Sequence, residues 1–140
     1  TDLQAPFMAL MTIAKGRSII SETIFENRMN HVELLNKMGS SITVNNNVAT
    51  INGVKNLTGT TLVGADLRSS AALIIAALIS KKTSNIYGLE HLDRGYENFE
   101  VKLSKLGVEI TRVITSNFFE ADKLNNPNTN KKNLDAVNAA

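Results

Sequence analysis

The segment "VGADLRSSAALIIAALIS", residues 63–80, sets Asp66 and Arg68 at the mouth of a stretch in which nine residues, Ala71 to Ile79, carry no polar side chain. A helix start exposes unpaired N–H groups and partial positive charge. An arginine in that first turn opposes the dipole. It becomes favourable when an anion binds there, because N–H groups and guanidinium then act on the same charge. The pattern occurs twice. Asp2-Leu3 precedes Asp66-Leu67 by 64 residues, and Arg28 and Arg94 follow the two aspartates after 26 and 28 residues, each at the start of a further helical pattern. Singly, each residue has an ordinary reading: Asp66 as a helix cap, Arg68 as a solvated charge, Asp93 and Arg94 as a surface pair. As a set at matching positions, Arg28, Arg68 and Arg94 read as three arginines converging on an anion.

The elements that must position them follow from periodicity. Phe7, Leu10, Met11 and Ala14 recur at helical spacing, with Gly16 as a stop. "SIISETIF" (18–25) is β-branched and alternating, and predicts a strand. Helical spacing returns over 28–38 through Val32, Leu35 and Met38, ended by Gly39; "SITVNNNVATING" (41–53) predicts two short strands around an Asn-rich turn, and 57–63 a further strand. The order then restarts: a helix over 66–81 that is apolar on every side and so buried, a strand over 83–89, a helical stripe of Tyr96, Phe99, Leu103 and Leu106 stopped by Gly107, and a strand over 108–114. "GSSIT" (39–43) and "GVEIT" (107–111) lie 68 residues apart. Two tandem units sharing a sheet predict an α/β domain built from repeats. From Ser116 the pattern stops. "NNPNTNKKNLDAVNAA" (125–140) has six asparagines and little to bury, and predicts a loose tail with a marginal C-terminal helical turn.

Composition narrows the function. The 140 residues suffice for one domain with a core, and 43% hydrophobic and 20% charged content is ordinary for a globular protein. The net charge of +2 is scattered and there is no Trp to stack on bases, which argues against nucleic-acid binding. Without cysteine the chain has no disulfide framework, thiolate metal site or cysteine nucleophile. His31 and His91 lack metal-ligand spacing, so no metal is expected. The longest apolar run is shorter than the roughly 20 residues a membrane span needs, and no signal peptide is seen at the start. The start lacks Met, which leads us to expect a chain cut at its N-terminus.

"TDLQAPFMAL", "ETIFENR", "GADLRSSAAL" and "HLDRGYENFEVKLSKLG" closely resemble the UDP-N-acetylglucosamine 1-carboxyvinyltransferases of the enolpyruvyl transferase family, over residues 1 to about 115. The related shikimate enzymes do not share the "FENR" and "DRGYE" wording. The resemblance implies an inside-out α/β barrel of repeated βαβ-type units with helices inside. Residues 1–115 are then the C-terminal part of the catalytic domain, and 116–140 an Asn-rich tail. It implies transfer of enolpyruvyl from phosphoenolpyruvate to the sugar 3-hydroxyl, by addition and then elimination of phosphate, in the cytoplasm, as the first committed step of peptidoglycan synthesis, with no cofactor. It assigns Asp2 to the sugar hydroxyl as general base, Ile24 to the nucleotide sugar, Arg28, Arg68 and Arg94 to the phosphoenolpyruvate anion, and Asp66 to the neighbourhood of the reacting carbon. Asp2 also has an ordinary reading as the cap of the first helix, and Ile24 as a strand residue. The family's Lys-Asn pair and its mobile loop bearing Cys or Asp lie outside this chain. A fragment inactive without the N-terminal remainder is therefore expected. The alternatives are a non-catalytic remnant or split-gene module and, more remotely, a shikimate-pathway relative.

Overall fold

The computed structural model describes residues 1–115 and 134–139. In chain order the elements are α1 (Gln4–Met11), β1 (Arg17–Ser21), α2 (His31–Lys37), β2 (Ser41–Asn45), β3 (Val48–Asn52), β4 (Thr61–Val63), α3 (Leu67–Leu78), β5 (Ser84–Tyr87), α4 (Leu89–Leu92), α5 (Phe99–Ser104), β6 (Ile110–Thr115) and β7 (Leu134–Ala139).

The expected helix over 66–81 forms as α3, and it lies at the centre of the fold. Ser69 through Ile74, Ala76 and Ala77 are buried. Its neighbours are α1 along its length, then α2, α4 and β5. The alanines matter here: Ala5 and Ala9 of α1 and Ala72 and Ala76 of α3 are buried with small side chains, which lets helix backbones approach closely while Met8, Leu73 and Ile74 fill the remaining space. Packing this helix between other elements removes most of its surface from water, with only Leu67, Arg68, Ile75 and Leu78 partly exposed, and burial is worth about 1.5–3 kcal/mol for each fully buried large side chain.

The repeat is real in local geometry. Gly39 and Gly107 both adopt positive φ, at 88°. In each, the residue after the glycine donates back to the helix: Ser40 N–H to Leu35 C=O at 3.3 Å, Val108 N–H to Leu103 C=O at 3.4 Å. The glycine itself donates to Asn36 at 2.9 Å and to Ser104 at 3.0 Å. Both second helices thus end in the same paired-bond cap, which favours glycine because φ is positive.

The two units do not share a sheet as expected. Three antiparallel strands in the order β1-β3-β2 make one sheet, and β4-β5-β7-β6 makes another. In the second, β4 and β5 run parallel, joined over the sheet by α3 in a βαβ crossover. The reason is local: the hairpin formed by β2 and β3 pairs back onto β1, with Ile51 opposite both Ser18 and Ile42, and so closes the first sheet within its own unit.

Residues 134–139 also differ from expectation. Rather than a helical turn, they form β7, antiparallel to both β5 and β6, with Val137 opposite Ile86 and Arg112. "LDAVNA" has no clean period-2 alternation, since Ala136 and Val137 are adjacent, so the sequence carried little strand signal there and pairing with β5 and β6 decides the conformation. The rest of the expected loose tail, 116–133 and residue 140, lies outside the described residues.

Backbones meet closely where β4 leads into α3. A Cβ on Gly64 would lie 2.1 Å from Ser70 Oγ, and one on Gly88 would lie 2.3 Å from the Gly64 carbonyl oxygen. Only glycine at both places lets the start of α4 sit against the head of α3.

Candidate functional site

Three helix heads converge. Asp2 lies just ahead of α1, Arg28 just ahead of α2 and Arg68 in the first turn of α3. Arg68 donates to Asp2 Oδ1 through both Nε, at 3.0 Å, and Nη2, at 2.5 Å. Arg28 Nη1 lies 3.6 Å from the same oxygen and donates to the Thr1 hydroxyl at 2.8 Å. One carboxylate therefore stands between two guanidinium groups. The Arg68 hydrogen bonds and charge, and then the Arg28 charge, hold Asp2 below the usual carboxylate range, so it is ionised near neutrality.

Asp2 does not cap α1. The cap position is Leu3 and no side chain closes it. Asp66, by contrast, is the cap of α3: its Oδ1 accepts from Arg68 N–H and Ser69 N–H, each at 2.9 Å, and the Ser69 hydroxyl receives the Asp66 N–H at 3.1 Å. Partial burial raises the Asp66 carboxyl, but the hydrogen bonds from Ser69 and Arg68 outweigh it and leave the group lowered. Those bonds fix the position of Asp66, and with it the backbone of Arg68. The structural reading of Asp66 is met, and its side chain remains at the mouth of the helix.

Sequence reasoning missed Glu22. This residue follows β1 and is 4% exposed. Its carboxylate accepts the Thr1 hydroxyl at 2.6 Å and the backbone N–H groups of Ile24 at 2.9 Å and Phe25 at 3.2 Å. The Thr1 bond and then the Ile24 bond pull its pKa down to about 2. The tip of the β2–β3 hairpin holds the same residue: Glu22 N–H donates to Asn47 C=O at 2.9 Å, and Asn47 Nδ2 donates to Glu22 C=O at 2.6 Å. Glu22 thus orders the 22–28 loop, in which the Phe25 ring lies 3.9 Å under the Arg28 guanidinium. A lone acid at a strand end is the only signal in the sequence.

That loop also places Ile24. The strand expected over 18–25 ends at Ser21, so Ile24 is not a strand residue. Its side chain is 67% exposed and lines a hollow of about 320 Å³ with Thr1, Leu3, Phe7 and Glu22. A larger cleft of about 710 Å³ is lined by Arg28 itself with Phe25, Val32, Asn36, Ile42 and Asn47.

Arg94 is exposed in the turn after α4 and, among the described residues, makes no hydrogen bond or ion pair. The surface pair read for Asp93 and Arg94 is absent; Asp93 pairs with Arg112 instead. Arg94 is not joined to the Asp2 cluster by a contact, but Gly95 beside it touches Leu67 at the head of α3: a Cβ there would lie 2.9 Å from Leu67 Cδ2.

His31, at the head of α2, is 3% exposed and its Nε2 has no partner. Burial lowers it to about 4, offset in part by the Asp66 charge. Among the described residues no group of His, Asp and Glu is arranged to hold a metal ion. No helix among them is long and apolar enough to cross a membrane.

A profile of the family described as EPSP synthase (3-phosphoshikimate 1-carboxyvinyltransferase) matches residues 1–103. The UDP-N-acetylglucosamine 1-carboxyvinyltransferase of Prochlorococcus marinus subsp. pastoris (strain MED4) is 71% identical over 140 residues, all of this chain and 31% of that protein. The protein of the same name from Trichormus variabilis is 53% identical over 113 residues, 81% of this chain and 25% of that protein. The chain thus spans less than a third of the length of these curated relatives. Among solved structures, the enolpyruvyl transferase NikO from Streptomyces tendae is similar with a TM-score of 0.70 and 31% identity, over 76% of this chain and 25% of its own. EPSP synthase from Acinetobacter baumannii shares the fold, with a TM-score of 0.63 at 14% identity over 97% of this chain and 28% of its own.

Proposed function

The chain belongs to the EPSP synthase family of enolpyruvyl transferases and carries part of that fold, and on that premise we propose that it is the C-terminal part of a cytoplasmic enzyme transferring enolpyruvyl from phosphoenolpyruvate to the 3-hydroxyl of UDP-N-acetylglucosamine. The product commits the sugar to peptidoglycan synthesis. The 71% identity with the Prochlorococcus enzyme of that name favours this acceptor over a shikimate.

The observation that carries the reading is the position of Asp2 between Arg68 and Arg28. Phosphoenolpyruvate is a phosphate and a carboxylate on one small frame, and needs more than one cation. When it enters, Arg68 and Arg28 turn from Asp2 to the substrate anion, and Arg94 reaches the same anion from the turn after α4. Asp2 loses the hydrogen bonds that lowered it and becomes a better proton acceptor for the sugar hydroxyl. The sugar oxygen then adds to C2 of phosphoenolpyruvate while C3 gains a proton. In the second step C3 loses a proton, the double bond reforms and the C2–O bond to phosphate breaks. Asp66 stands near the carbon that gains and loses the proton. Ile24 gives an apolar wall to the nucleotide sugar. Spanning 31% of its relative, the chain is inactive by itself and needs the remainder of such an enzyme to close the site.

The test is a graft. This chain replaces the matched stretch of the MED4 protein, and phosphate release from phosphoenolpyruvate is measured with UDP-N-acetylglucosamine or shikimate 3-phosphate as acceptor. Turnover with the nucleotide sugar, lost in Asp2→Asn, is the expected result. Turnover with the shikimate alone, or an Asp2→Asn graft of parental activity, overturns the reading.

A further inference from the structure

Arg112, on β6, grips Asp93 with both arms of its guanidinium: Nη1 donates to Oδ1 at 3.0 Å and Nη2 to Oδ2 at 2.6 Å. Nη1 also lies 3.8 Å from Glu100 Oε2. Asp93 is the last residue of the α4 cap, and the next residue is Arg94. The turn is closed behind it by Gly95 N–H and Tyr96 N–H, which both donate to Leu92 C=O, at 3.1 and 2.9 Å. On its other side Gly95 sits against Leu67, the first residue of α3 and the neighbour of Arg68. Arg94 is therefore flanked by one residue anchored to β6 and one anchored to the head of α3.

We propose that Arg112 is a positioning residue for the transfer reaction: by forking onto Asp93 it sets the turn that presents Arg94 to the phosphoenolpyruvate anion. The proposal rests on the reading of Arg94 as an anion ligand. The fork has two effects. It fixes the backbone of the turn in direction as well as distance, which a single-point contact from lysine does not do. It also occupies both oxygens of the one carboxylate adjacent to Arg94, so the Arg94 charge is not neutralised by its own neighbour. As a half-exposed ion pair it adds little to stability, so its effect falls on the placement of Arg94. Misplacement of a substrate-holding group by about 1 Å costs up to about a hundredfold in rate.

In the grafted full-length enzyme, Arg112→Met, Arg94→Ala and the double variant are compared with the parent. Arg112→Met is expected to lower kcat/KM for phosphoenolpyruvate about tenfold or more, to leave KM for the nucleotide sugar unchanged, and to cause no further loss in the Arg94→Ala background. Equal losses in both backgrounds, or parental activity of Arg112→Met, overturn the proposal while leaving Arg94 as a ligand. Parental activity of Arg94→Ala overturns the ligand reading itself and this proposal with it. Should Arg112→Met fail to fold, Asp93→Asn weakens the same fork with β6 unaltered, and the same comparison of backgrounds decides.

Discussion

Arg68 reaches across 66 positions of sequence to place two donors on one oxygen of Asp2. Asp2 is 74% exposed there and Arg68 33%. Asp2 offsets one of the two positive charges that Arg68 and Arg28 bring to this point, so the two guanidinium groups share one carboxylate and a net positive charge remains. Exposed pairs of this kind contribute little to stability because solvent screens them. Arg68→Ala should therefore shift the melting temperature of this chain very little. On the proposed function, it should reduce turnover in the grafted enzyme by orders of magnitude, because Arg68 is there read as a charge-assisted contact to the reacting anion. A large loss of stability with activity kept would show the arginine to be structural.

His31 makes the fold sensitive to acid. Its folded pKa, about 4, lies below the ordinary 6.5, so between those values the unfolded chain binds more protons. The contribution is fully present above pH 6.5 and is lost as pH falls towards 4, amounting to about 3 kcal/mol at most. Denaturant midpoints of the parent should fall across that window, and those of His31→Gln should fall much less. Parallel curves for the two proteins would rule the ring out as the source.

Glu22 acts lower on the scale. Its carboxyl is held at about 2 against an ordinary 4.5, so its stabilisation is present above pH 4.5 and is lost as pH falls from there towards 2. Glu22→Gln should weaken the acceptance of the Thr1, Ile24 and Phe25 donors together. We expect a melting temperature several degrees lower and faster amide exchange at Ile24 and Phe25. Unchanged exchange at those two amides would mean that the loop is held by other contacts.

Gly88 and Gly107 separate two costs of losing a glycine. Both have positive φ, but a Cβ on Gly107 meets nothing within 4 Å whereas one on Gly88 overlaps the Gly64 carbonyl. Gly107→Ala should cost about 1 kcal/mol from backbone strain alone. Gly88→Ala should cost that plus about 1–3 kcal/mol for the backbone shift. Chemical denaturation gives both values, and equal costs would contradict the close approach of α4 to α3.

What the sequence reveals and what it hides divide along the range of the interaction. Helix α3, the stops at Gly39 and Gly107 and the Asp66 cap depend on neighbours a few positions away, so periodicity and residue type disclose them. The match of Asp2 to Asp66 marked two helix heads, but only tertiary packing brings Arg68 onto Asp2. Glu22 stayed hidden because its partners, Thr1 and Asn47, lie 21 and 25 positions away. The division into two sheets was likewise hidden, since strand-forming residues do not name their partners. The Asp93–Arg94 pair failed for the same reason: adjacency in sequence yielded to Arg112, 19 positions on.

The strand order β4-β5-β7-β6 carries a consequence for synthesis. The first sheet is complete once Asn52 has been made, but among the described residues β6 joins its sheet only through β7. A growing chain that has reached Thr115 holds an unpaired strand, with Ile110 and Val113 on it, until residue 139 follows. At about 5–20 residues per second that interval lasts roughly 1–5 s. During it the strand edge is open to pairing with other nascent chains, so pausing of the ribosome between these two points would favour aggregates over folded protein.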